Sequence, residues 1–187
     1  MNRSNSIVVT AILSGFIALA TIWLAPLNAF AEGTGPTSAT LPGGASSLQE
    51  TFGDWRVACV VQGQTKRCAL VQEQVNEQTH QRILTIELGI VGEKLEGVLL
   101  TPFGLALDRG VQLQIDDQSG QQALKFRTCL PGGCLVPLSF DSKVMAGLRA
   151  GSAIRFHASA DGGQDQLFTV SLKGFGSALD RVGALVK

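Results

Sequence analysis

Two pairs of cysteines at short spacing constrain this chain more than any other feature: Cys59 with Cys68, and Cys129 with Cys134. If Gln62-Gly63-Gln64-Thr65 forms a two-residue hairpin loop, Gln62 pairs with Thr65, and counting outward sets Cys59 opposite Cys68. Gly63 then occupies the first loop position, where a type II′ turn wants glycine. The cysteines fall on a non-hydrogen-bonded pair, where side chains approach closely enough for a disulfide. The second pair frames Leu130-Pro131-Gly132-Gly133, and Pro-Gly points to a type II turn in a slightly irregular loop. Four cysteines allow three connectivities. Turn chemistry and register favour the two local bridges over a redox dithiol, which wants Cys-x-x-Cys at a helix start, and over a zinc site, which wants shorter ligand spacings.

Disulfides imply an oxidising compartment, and the N-terminus agrees. Arg3 precedes a largely apolar run over residues 7–24, and Asn28-Ala29-Phe30-Ala31 fits a signal-peptidase site. The expectation is a signal peptide over 1–31 and a flexible Gly/Pro/Ser/Thr-rich leader over 32–49. One folded domain over 50–187 then remains, with no transmembrane segment once the signal is cleaved. The competing reading of the apolar run is an uncleaved anchor, since its length approaches the ~20 residues that span a bilayer. Fifteen basic and fifteen acidic residues balance. No basic run points to nucleic acid.

The mature segment alternates with period two. Leu84, Ile86, Leu88 and Ile90 interleave with Thr85, Glu87 and Gly89, and the same pattern recurs at 111–116, 154–158 and 168–173. Such runs are antiparallel strands with one buried face, separated by turn clusters at 116–120 and 161–164. The fold class expected is mainly β: an antiparallel β-sandwich or partly closed barrel, with two short helices. Asp141 caps the first, with Val144, Met145 and Leu148 on one face, and the second runs over 177–185. Trp55, opening the first strand, reads as a core anchor.

Chemistry is harder to find. His157 lies on the polar side of a strand, and His80 follows a polar stretch, so both read as surface residues. Asp116 and Asp117 lack calcium-loop spacing. Glu73, Glu77, Glu87, Glu93 and Glu96 are scattered. No nucleophile elbow, zinc motif or phosphate loop is present, and no catalytic residue, metal ligand or cofactor is assigned.

Gly53-Asp54-Trp55-Arg56-Val57-Ala58-Cys59, then Cys68 and Gln72-Glu73-Gln74, resemble the opening of the invasion-associated locus B family. Thr101-Pro102-Phe103-Gly104-Leu105, Phe126-Arg127-Thr128-Cys129 with Gly133-Cys134, and Ser171-Leu172-Lys173-Gly174-Phe175 continue the resemblance in order. It implies a periplasmic β-sandwich of a Gram-negative bacterium, with secretion or outer-surface display as the alternatives. The family's name implies a part in host-cell invasion, and the resemblance carries no catalytic residues. The leading expectation is a non-catalytic module whose partner is a protein or an envelope ligand. The alternatives are an envelope hydrolase with carboxylates gathered by folding, and a host-directed adhesin.

Overall fold

Alternation at period two becomes ten strands in a computed structural model that describes residues 40–118 and 123–187. The expected signal peptide, residues 32–39 of the expected leader and residues 119–120 of the turn at 116–120 lie outside the described residues. In chain order the elements are β1 (Ser47–Phe52), β2 (Trp55–Gln62), β3 (Thr65–Val75), β4 (Arg82–Val91) and β5 (Lys94–Thr101). Then come β6 (Gln112–Ile115), β7 (Thr128–Leu130), β8 (Gly133–Phe140) and α1 (Ser142–Ala150), followed by β9 (Ala153–Ser159), β10 (Asp165–Ser171) and α2 (Phe175–Leu185). A seven-stranded antiparallel sheet has the order β1-β2-β3-β4-β5-β8-β7, and a three-stranded sheet has β10-β9-β6. Neither sheet is closed, so the architecture is two open sheets sharing a core, with no barrel.

Strand pairing starts inside the segment read as leader. β1 pairs along β2 from Ser47↔Val60 to Phe52↔Trp55, and Leu41 is buried at 3% exposure. Trp55 therefore opens the second strand and not the first. In β4 the inward residues Leu84, Ile86 and Leu88 are fully buried, while Glu87 faces solvent. Each such leucine or isoleucine contributes about 1.5–3 kcal/mol relative to exposure. Trp55 and Phe175 meet edge to face at 5.2 Å between ring centroids, the offset that aromatic quadrupoles favour.

The helices are short and need the sheets to hold them. The Asp141 carboxylate accepts the Val144 N–H at 2.9 Å and so caps α1; Leu148 is its buried residue. α2 begins two residues earlier than its sequence pattern indicates, because Phe175 is itself a core residue. No helix among the described residues is long and apolar enough to cross a membrane.

The two sheets meet where β10 would otherwise present a bare edge to β3. Gln72 of β3, only 5% exposed, donates from Nε2 to the Ser171 carbonyl at 2.9 Å. Its Oε1 accepts the Ser171 N–H at 3.2 Å, so one carboxamide satisfies both backbone groups of that residue. Trp55 Nε1 donates to the same Ser171 carbonyl at 2.8 Å, and Gln74 Nε2 donates to the Thr169 carbonyl at 2.7 Å. Side chains thus supply the hydrogen bonds that a neighbouring strand would supply.

Next to this joint two turns cross in contact. Asp54 N–H bonds to the Lys173 carbonyl at 3.0 Å, and Gly53 and Gly174 both take positive φ (57° and 86°). A Cβ on Gly174 would lie 2.0 Å from the Phe52 carbonyl oxygen. Gly63 also has positive φ, at 61°, but a Cβ there meets nothing within 4 Å. Gly63→Ala should therefore cost only the ~1–2 kcal/mol of a left-handed residue. Gly174→Ala adds a backbone clash and should cost about 3 kcal/mol or more, read as the difference in urea unfolding free energy between the two variants.

Candidate interaction surface

The register expected for the first cysteine pair holds. Gln62 pairs with Thr65 and Cys59 with Cys68. Gly63 carries the positive φ and Gln64 does not, the pattern of a type II′ turn. The Cys59–Cys68 and Cys129–Cys134 bridges both form, with Cα separations of 4.1 and 3.9 Å. The second turn departs from expectation. Gly133 holds the positive φ and Gly132 does not, so Pro131-Gly132 is not a type II turn. The two-residue connection between Leu130 and Gly133 is accommodated by Gly133, whose Cβ would strike the Thr101 carbonyl at 2.3 Å.

The candidate chemical residues do not converge. Exposed His157 meets the Gln114 amide oxygen at 3.0 Å and not a carboxylate. His80, also exposed, sits in the β3–β4 turn, where Asn76 Oδ1 accepts the Gln78 and Thr79 N–H groups. Asp116 has φ 47°, and its carboxylate accepts the Ser152 and Ala153 N–H groups at 2.9–3.1 Å. That carboxylate is engaged by backbone between α1 and β9. Asp117 lies 3.3 Å from Arg155 at the surface. No group of three His, Cys, Asp or Glu side chains among the described residues is placed to hold a metal ion.

Two ion pairs escaped sequence reasoning because their partners are far apart in the chain. Arg149 of α1 donates to Asp180 of α2 at 2.6 Å, and that hydrogen bond holds the Asp180 carboxyl below its usual range against the opposing effect of burial. Arg181 of α2 grips Glu50 of β1 through two parallel hydrogen bonds of 2.5 and 2.7 Å. These hydrogen bonds likewise hold Glu50 below the ordinary 4.5, against the opposing effect of desolvation. Both pairs tie helices down.

The surface that does present itself is the outer face of the large sheet. Here small residues line up in register: Ala58↔Ala69, then Gly89 one step beyond the Leu70↔Leu88 pair, then Gly89↔Glu96. The valines around them project further, with Val60 and Val91 exposed at 44% and 58%. The result is an open hollow of 680 Å³ with an Ala/Gly floor and a valine rim. A second hollow, of 520 Å³, lies between α1, α2 and the β4–β5 turn and contains the Arg149–Asp180 pair.

Residues 55–183 match the family model for invasion associated locus B (IalB) protein. The chain belongs to the invasion-associated locus B family. It is 51% identical over 166 residues to an invasion protein B homolog of Brucella abortus (strain 2308), covering 88% of this chain and 91% of that one. It is 36% identical over 181 residues to invasion protein B of Bartonella bacilliformis, covering 94% and 96%. Among solved structures, invasion associated protein b from Bartonella henselae superposes with a TM-score of 0.70 at 33% identity, covering 74% of this chain and 97% of that one. Within this family frame, Trp55, Gln72 and Gln74 are the residues that join the two sheets.

Removing the Cys59–Cys68 bridge as a double alanine variant should lower stability by roughly 2–3 kcal/mol through the freed loop alone. Burial of both sulfurs adds a cavity cost, and denaturant titration of oxidised protein and variant checks the sum. The Glu50–Arg181 pair has the opposite visibility, appearing only against pH. Because the folded Glu50 carboxyl is more acidic than the unfolded one, its stabilisation is full above the unfolded pKa. It is lost as pH falls through the folded pKa. The gap in urea midpoint between wild type and Glu50→Gln should be widest at neutral pH and close progressively below about 4.5.

Proposed function

We propose that this protein is exported to the bacterial envelope and acts there as a non-catalytic interaction module, binding its partner through the outer face of the large sheet. The observation that carries the reading is the apolar hollow over Ala58, Ala69 and Gly89. It is built from backbone register and small side chains, and no histidine lines it; its two carboxylates, Glu87 and Glu96, stand on separate strands out of register. A carboxylate hydrolase would need two converging acids or a histidine–acid pair. Here His157 meets an amide, and Glu50 and Asp180 are held by arginines. Export is supported by the N-terminal signal pattern and by two disulfides, which form in oxidising compartments. A contribution to host-cell invasion is the reading the relatives' names suggest.

Capture from envelope extract with bead-bound protein tests the module, with Ala69→Arg filling the floor of the hollow as the control. The expected outcome is a component retained by wild type and lost from Ala69→Arg. Identical retention profiles would overturn the assignment of this face. Fractionation should recover the protein outside the cytoplasm, and cytoplasmic recovery with reduced thiols would overturn export.

A further inference from the structure

The charges around the hollow are divided between its two halves. Exposed Arg56 on β2 and Arg67 on β3 lie on one side, and Glu87 on β4 and Glu96 on β5 on the other. None of the four belongs to an ion pair among the described residues. The other outward charges do not disturb this division. Glu73 of the basic half is already held 4.0 Å from Arg82, and Lys94 lies at the extreme end of β5, opposite Val91.

We infer that the occupant of this face is a second copy of the chain. A closed pair must use the same patch on both subunits. Face-to-face packing therefore places a two-fold axis in the interface plane. An axis parallel to the strands, between β3 and β4, lays the β2–β3 half of one copy over the β4–β5 half of the other. Arg67 then comes over Val91 of the partner copy, diagonal to its Glu96, and Arg56 over Val98, beside its Glu87, on both sides of the axis at once. The basic end residue Lys94 falls over apolar Val60. Strand axes of the two copies stay aligned, the geometry that stacked sheets adopt. Ala69 and Gly89 lie beside the axis and face each other across it, with Ala58 one strand further out, so small side chains let the two sheets approach. A two-fold arrangement thus lays the basic half over the acidic half, within reach of diagonal ion pairs, and covers the exposed valines with one operation.

This inference rests on reading the outer face as an interaction surface, and the two can fail separately. The experiment is native mass spectrometry with sedimentation velocity, on protein purified after expression of the whole chain, across roughly 1–500 µM to span weak interfaces. A monomer–dimer equilibrium that weakens with added salt is expected. Arg67→Glu should raise the dissociation constant about tenfold or more, and so should Glu96→Arg, because each reverses two symmetric contacts. The double variant carrying both should recover most of the lost association. Circular dichroism melts confirm that the surface variants stay folded. A monomer at every concentration, or a dimer indifferent to both reversals, overturns the proposal. A monomer that retains a small molecule or foreign peptide on the face overturns the second copy while leaving the interaction surface standing.

Discussion

A buried carboxamide that answers both backbone groups of one residue is what allows two open sheets to share a single core in this chain. β10 ends beside β3 without a strand between them, and Ser171 would otherwise bring an unpaired N–H and C=O into the interior. Leaving either group unmade costs about 1–3 kcal/mol. Gln72 meets both, and Trp55 adds its indole N–H to the same carbonyl. The remaining geometry follows from that anchorage. With Ser171 fixed, Lys173 and Gly174 cross the β1–β2 turn at a distance only glycine permits. Phe175 then enters the core against Trp55, and α2 is launched across the inner faces of β1 to β4.

Fixing α2 in turn explains why the N-terminal strand holds. β1 is short, lies at the sheet edge, and has a half-buried face of Leu48, Glu50 and Phe52 with little apolar surface to offer. Its security comes from pairing with β2 and from the Arg181 fork on Glu50. The carboxylate on that inward face finds its partner on the helix, so a charge that would be a poor core residue serves as a clasp. The two disulfides act at other places, next to hairpin turns. They restrict the unfolded chain locally and leave the cross-sheet joint to side-chain hydrogen bonds.

What could be read from the residues divides along the same line. Local geometry was legible: the Gly63 turn, the Cys59–Cys68 register, the period-two strands and the Asp141 cap each depend on residues within about one hairpin or one helical turn. β1 was not, because Ser47, Leu48 and Gln49 have the composition of a leader and become a strand only through β2. The Pro131-Gly132 turn was misjudged because the tight approach of Gly133 to Thr101 involves a distant strand. Gln72 and Gln74 were noted as part of the family resemblance, but their work as a substitute strand joins positions 99 and 95 residues apart. No periodicity reports a contact of that kind. The Glu50–Arg181 and Arg149–Asp180 pairs were hidden for the same reason.

The outer face was legible residue by residue and unreadable as a surface. Ala58, Ala69 and Gly89 each fall on the outward phase of their strands, where alternation assigns them to solvent and gives them no further meaning. Only the register sets them side by side, and only then does the depression among the valines exist. A sheet whose inner face alone mattered would be served by polar residues at those outward positions, as at Ser139. Small apolar residues weaken a strand's own packing and leave neighbouring valines exposed to water, so on an isolated domain they are a cost to stability and solubility. That cost is removed when the face is covered. The inner face is made permanent by Gln72, Gly174 and α2, so binding does not have to reshape the core. The same rigid framework that keeps the hollow open also fixes the separation of the arginines from the glutamates across it, and a fixed spacing of unpaired charges is what lets one surface discriminate its complement from other partners.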